Sequence, residues 1–239
     1  YMKITGEFML PGDKSISHRA FMLGALAQGA TIVRGALESL DVQSTRTALK
    51  ALGARIEREG DAWRVAGGLL REPSSVIDAG NSGTTARLLS GLCAGIPGVT
   101  ILTGDRSLVR RPMARVIEPL RKMGATFLAR EGRYLPLAVR GGGLNGIRYE
   151  MDVASAQVKS ALLLAGLAAE GLTEVTEPSP SRDHTERMLA YFGAELEREG
   201  TTVRIAGPQR LEAREVPVPA DPSSAAFPAV WAAAVPGSE

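Results

Sequence analysis

What this chain has little of narrows its function first. One cysteine, Cys93, occurs among 239 residues, so no disulfide can form within the chain. With His18 and His184 as the only histidines, a zinc site of ordinary Cys/His composition cannot be assembled. Cys93 lies in the apolar run Ala86–Ala94 and reads as a buried core thiol. An excess of charge of either sign is missing too: 28 basic against 26 acidic residues leave a net charge of +2, which provides no general attraction to nucleic acid or to an anionic membrane. Any anion site must therefore be built locally. No apolar run is long enough to span a bilayer, and no apolar stretch follows a basic start, so a cytoplasmic protein is expected.

What is present is repetition. A Gly-Ala pair closes an amphipathic segment at Gly53, Gly124 and Gly193, intervals of 71 and 69 residues. After each pair the chain reads as strand, turn and strand, over Arg55–Gly67, Thr126–Gly141 and Glu195–Gly207. A second landmark keeps the same phase at Gly29, Gly98 and Gly171. Each unit opens on a helix with almost no polar face (Ser17–Gln28, Thr84–Ala94, Gln157–Glu170), and a helix apolar all round is a buried one. A short strand follows at Thr31–Val33, Thr100–Leu102 and Thr173–Val175. The second helix of each unit has one apolar stripe, such as Met113, Val116, Ile117, Leu120 and Met123. Pro112 suits its first turn, and Pro119 predicts a kink. Asp183 and Glu186 predict a capping box, and Gly53, Gly124 and Gly193 predict left-handed helix ends. The expected fold is α/β: one pseudo-threefold domain of βαβαββ units, buried helices inside, sheets and amphipathic helices outside. Asp221–Glu239 repeats the buried helix and its glycine landmark without the strands, so the chain reads as cut short after a fourth unit begins.

Each buried helix is preceded by a polar stretch: Pro11–Ser15, Gly80–Thr84 and Ala154–Gln157. Rotation would bring these helix starts to one end of the domain. Free N–H groups and the positive ends of the helix dipoles would then face one point and favour an anion. Lys14, Arg19, Arg111 and Arg182 lie near those starts, and arginine presents a planar fork suited to phosphate or carboxylate. A small, multiply anionic ligand is the inference. Ordinary capped helix starts with solvated basic residues are the bland alternative.

Five stretches in order resemble the signatures of the 5-enolpyruvylshikimate-3-phosphate synthases: Pro11–Ala20, Gly80–Thr84, Arg110–Met113, Ser155–Ala161 and Arg182–Glu186, with Asp221–Ser224 similar to the start of that family's second half. The resemblance implies the family's inside-out barrel, one of two such domains. It divides the chain into residues 1–10, a strand belonging with the second domain; 11–220, the substrate-binding domain; and 221–239, the start of the second domain. It implies transfer of the enolpyruvyl group of phosphoenolpyruvate to the 5-hydroxyl of shikimate 3-phosphate, with release of phosphate and no metal or cofactor. Lys14, Ser15, Arg19, Ser155, Ala156, Gln157 and Arg182 would hold shikimate 3-phosphate. Lys14, Gly83, Arg111 and Gln157 would hold phosphoenolpyruvate, with Lys14 stabilising charge on the reacting oxygens. In this family glyphosate takes the phosphoenolpyruvate position, and a glycine at 83 implies sensitivity to it. The family's base carboxylate and further cations lie in its second half, so this chain alone is expected to bind without turnover, the missing half being its partner. Leu88 stands where many members have proline, which leaves the direction of the helix from Gly83 to be settled.

Rival readings have less behind them. Gly141–Gly146 fits G-x-G-x-x-G but precedes an extended segment, so it reads as a loop. Gly12–Ser15 lacks P-loop spacing, and Ser82 is not in a nucleophile elbow. His18 reads as a structural partner, and His184 as either a solvated or capping residue or a ligand contact. The UDP-N-acetylglucosamine enolpyruvyl transferases share the architecture but typically have Lys-Asn where this chain has Lys14-Ser15. A non-catalytic anion-binding module is the rival from another class.

Overall fold

The computed structural model describes residues 5–235 and 237. The first unit runs through α1 (Lys14–Leu26), β1 (Ala30–Arg34), α2 (Leu40–Ala51), β2 (Arg55–Glu59) and β3 (Ala62–Ala66). The second runs through β4 (Ile77–Asp78), α3 (Gly83–Ala94), β5 (Gly98–Thr103), α4 (Ala114–Lys122), β6 (Thr126–Arg130) and β7 (Tyr134–Gly141). The third comprises β8 (Arg148–Glu150), α5 (Ala156–Gly166), β9 (Gly171–Thr176), α6 (His184–Tyr191), β10 (Leu196–Glu199) and β11 (Thr202–Gly207). Last come β12 (Glu215–Pro217) and α7 (Pro222–Ala234). Among the described residues no helix is long and apolar enough to cross a membrane.

Three four-stranded sheets repeat one pattern, β12-β1-β3-β2, β4-β5-β7-β6 and β8-β9-β11-β10. In each the first pair is parallel and the other two are antiparallel. Units two and three supply their own parallel strand. Unit one takes its strand from β12, at the far end of the domain, with Val33 opposite Val216, so the third unit closes onto the first. The amphipathic helices lie in the grooves between the inner ones: α2 touches α1 and α3, α4 touches α3 and α5, and α6 touches α5 and α1. The architecture is the pseudo-threefold α/β barrel with its helices inside.

Apolar composition buries α1, α3 and α5, and small residues set how closely they approach. A Cβ on Gly91 of α3 would fall 2.1 Å from the carbonyl oxygen of Ala161 in α5, so these helices meet backbone to backbone. The last glycine of each strand pair, Gly67, Gly141 and Gly207, abuts its own inner helix in the same way, 2.0–2.2 Å from the carbonyls of Ala25, Cys93 and Gly166. Gly53, Gly124 and Gly193 end their helices at φ +105, +110 and +91, as the sequence predicts.

Several details differ from expectation. Asp13, Ser82 and Ser155 cap the inner helices, accepting from Ile16, Thr85 and Val158. The helices therefore start one to three residues earlier than read, and Lys14 and Ser15 lie in a first helical turn. The capping box is absent. Asp183 accepts from Arg187 and Arg198 instead, and Glu186 is buried against Lys159. Pro112 precedes the N-cap residue Met113, and α4 continues through Pro119, where the carbonyl left unpaired belongs to exposed Arg115. Residues 5–10 run without regular structure, and residues 1–4 lie outside the described part.

Candidate functional site

The three inner helices begin at one pole. A cavity of about 200 Å³ there is walled by Lys14, Ser15 and Arg19 from α1, Thr84 from α3, Ala156 and Gln157 from α5, and Arg182 and His184 at the start of α6. A larger hollow of about 760 Å³ opens at the opposite pole, beside Leu26, Leu92, Leu164 and Leu211. Among its lining residues Arg210 is the one charged side chain, against the three cations that line the smaller cavity.

In and beside the smaller cavity most of the cations lack an ion-pair partner. Among the described residues Arg19, Arg87, Arg111 and Arg182 have no carboxylate within ion-pair distance, whereas Lys14 reaches Asp41 at 3.1 Å. Arg19 ties three elements together, donating to the Ser15 carbonyl, to Thr185 Oγ1 (2.6 Å) and to Ser160 Oγ (2.7 Å). Burial lowers its pKa to about 10, which leaves it charged at neutral pH. A guanidinium has five N–H donors, so two remain for a ligand. Arg182 donates to Ser15 Oγ at 3.3 Å.

Gln157 links this wall to α3: its amide nitrogen donates to Thr84 Oγ1 (3.0 Å) while its oxygen accepts from Arg87 Nη1 (2.9 Å). A Cβ on Gly83 would lie 2.8 Å from Arg87 Nη1 and 3.6 Å from Arg111 Nη1. Arg111 is aimed by Asn81 Oδ1 (2.9 Å) and Ser107 Oγ (3.3 Å), and Asn81 in turn donates to Asp105 at 2.6 Å. That bond holds the Asp105 carboxyl below its ordinary range.

Comparison with known proteins shows the family. The family described as EPSP synthase (3-phosphoshikimate 1-carboxyvinyltransferase) matches residues 1–239. The chain belongs to the EPSP synthase family. It is 54% identical over 240 residues to the 3-phosphoshikimate 1-carboxyvinyltransferase of Bacillus thuringiensis subsp. konkukian, covering 99% of this chain and 56% of the relative. With the same-named protein of Anaeromyxobacter sp. the identity is 56% over 238 residues, covering 99% and 55%. A solved EPSP synthase from Acinetobacter baumannii superposes with a TM-score of 0.92 at 46% identity, over 99% of this chain and 54% of that one. The chain thus spans about half the length of the curated relatives it matches.

Against this family's pattern, the structure brings Lys14, Ser15, Arg19, Ala156, Gln157 and Arg182 to one cavity wall, and sets Gly83 and Arg111 side by side outside that lining. Ser155 is not in that wall; its hydroxyl caps α5. Leu88 does not redirect α3. It is fully buried, and the helix runs unbroken from Gly83 to Ala94, so Gly83 still faces the arginines. Arg87 was not among the residues that the sequence singled out. Its place four residues after Gly83, hence on the same helix face, was the available signal. His184 reaches the wall with its Nδ1 buried and unpartnered, and burial, then Arg19, lowers its pKa.

His18 lies behind the site. Its Nδ1 shares a hydrogen bond of 2.7 Å with Thr45 Oγ1, and the chain continues to Thr85 and Ser82, joining α1, α2 and α3. Burial holds its pKa down to about 3, against 6.5 when free. Between those values the unfolded chain takes up a proton that the folded chain does not, so stability falls as pH drops below about 6.5. The steepest loss is roughly 1.4 kcal/mol per pH unit. Urea midpoints at pH 7 and pH 5 should fall further for the parent than for His18→Gln; equal falls would exclude this burial.

Proposed function

We propose that this chain forms the shikimate-3-phosphate-binding half of an enolpyruvyl transferase site. One observation carries the reading: in a chain of this family, the N-terminal ends of α1, α3 and α5 meet at one cavity, beside four arginines that have no carboxylate partner among the described residues. Lys14, Ser15, Arg19, Ala156, Gln157 and Arg182 would hold shikimate 3-phosphate, with Ser155 presenting the α5 N-terminus. Lys14, Gly83, Arg111 and Gln157 would hold phosphoenolpyruvate. Arg111 forks onto one anionic group, Gly83 admits the ligand to the backbone, and Lys14 stabilises charge at the reacting oxygens. Both substrates are small water-soluble anions, which suits an enzyme of the cytoplasm.

In the reaction the 5-hydroxyl oxygen bonds to the central carbon of phosphoenolpyruvate, loses its proton, and displaces phosphate. That proton needs a base, yet among the described residues no Asp or Glu lines the cavity. Nearby carboxylates have other partners: Asp13 accepts from the Ile16 N–H as the cap of α1, Asp41 pairs with Lys14, Glu186 with Lys159, and Asp183 with Arg187 and Arg198. The base and further cations would come from the remaining half of the relatives' length. Its docking surface would include α7, whose Phe227 is 81% and Trp231 58% exposed. On this reading residues 1–10 and 221–239 belong with that second half. The chain alone should bind shikimate 3-phosphate in calorimetry and release no phosphate when given both substrates. Arg182→Ala or Lys14→Ala should weaken binding roughly tenfold or more, the effect of one lost charge-assisted contact. Turnover near that of a full-length relative, or unchanged affinity in both variants, would overturn the proposal.

A further inference from the structure

Arg87 has no carboxylate partner among the described residues, and it occupies the space beside a glycine. Its Nη1 would lie 2.8 Å from a Cβ on Gly83, closer than two such atoms approach, so a side chain at 83 must move the guanidinium. Arg111, at 3.6 Å from the same point, would not have to move. The Arg87 Nη1 that must yield is the donor to Gln157 Oε1 at 2.9 Å, and the other bond of Arg87, to the Pro112 carbonyl, is long at 3.4 Å. Burial and the neighbouring charges of Arg111 and Arg115 already press against this guanidinium, so the Gln157 carbonyl is its chief attractive contact.

The bond also sets the polarity of Gln157. A carboxamide can turn over, presenting either its oxygen or its NH₂ group. With Arg87 bound to the oxygen and Thr84 accepting one amide hydrogen, the second amide hydrogen is left to donate. That orientation suits an anion, and the turned one would set an oxygen against it.

We propose that Arg87 is a positioning residue: seated where Gly83 has no side chain, it holds the Gln157 carboxamide in its anion-donating orientation, and a side chain at position 83 acts on the site by displacing Arg87. The ligand part rests on the reading of Gln157 as a substrate contact; the structural part does not. Two measurements on the 239-residue chain separate them. The first is the side-chain amide NMR signal of Gln157 without ligand. It should shift in Gly83→Ala toward its position in Arg87→Ala, and Gly83→Ala should add little in an Arg87→Ala background. A Gln157 signal unmoved by Gly83→Ala, or moved as much without Arg87, would overturn the proposal whatever the chain binds. The second is titration with shikimate 3-phosphate. Each single variant should weaken binding on the order of tenfold, and the double variant no more than the worse single one, because both act through one contact. Arg87→Lys, which keeps a donor, should recover part of the loss. Weakening that multiplies to about a hundredfold in the double variant would refute Arg87 as the intermediary. Failure of every form to bind, with the NMR result as expected, would refute the substrate assignment and leave the positioning role standing.

Discussion

Gly91→Ala should destabilise the protein by roughly 3 kcal/mol or more, lowering its melting temperature by about 10 °C. The added methyl would meet the Ala161 carbonyl oxygen at 2.1 Å, its carbon at 2.6 Å and its Cα at 2.7 Å, all backbone atoms of the opposing helix. No rotamer change relieves such a contact. α3 and α5 would have to separate, and packing along both would suffer, because interiors of this density yield only by moving whole elements. The same separation would draw Gln157 of α5 away from Thr84 and Arg87 of α3, so ligand binding should weaken with stability. Thermal unfolding within about 2 °C of the parent would show that the helices are not in backbone contact.

Lys159→Met should cost on the order of 3–5 kcal/mol, the usual effect of removing one partner from a buried ion pair. The Lys159 side chain is 2% exposed, and its ammonium lies 2.5 Å from Glu177 and 2.6 Å from Glu186, whose carboxylate has no other partner among the described residues. Without the lysine two buried carboxylates lose their ion-pair partner. Changing both to glutamine in the Lys159→Met background should restore much of the loss, since an uncharged cluster carries less desolvation cost. Urea denaturation of the parent, the single and the triple variant checks this. A triple variant less stable than the single one would mean that packing, not charge, governs the cluster. The effect reaches the site through Glu186, whose charge favours the Arg19 cation and which sits on α6 beside Thr185, an acceptor for that arginine.

The repeat was legible because its cause is local. Buried helices need apolar residues on every side, chain reversals at Gly53, Gly124 and Gly193 need a left-handed backbone, and capped starts need Asp or Ser. Each requirement marks its own position in the chain. The cations at the helix starts were legible on the same ground, and the family motifs assigned them roles. Roles set by distant partners were not. Asp183 and Glu186 have the spacing of a capping box, yet Arg198 and Lys159, brought in from other elements, take their carboxylates. Glu215–Pro217 is too short and too polar to announce a strand, and only closure of the ring gives it β1 as a partner. Arg87 looks like an ordinary helical arginine until α5 sets Gln157 against it. By itself, then, the sequence determined the number of units, their order, which helices are inside and where the anion-seeking cations lie, since these follow from the period and chemistry of neighbouring residues. The tertiary structure alone decided how the units close into a ring and which charges are paired and which left free, because those depend on groups far apart in the chain and close in space.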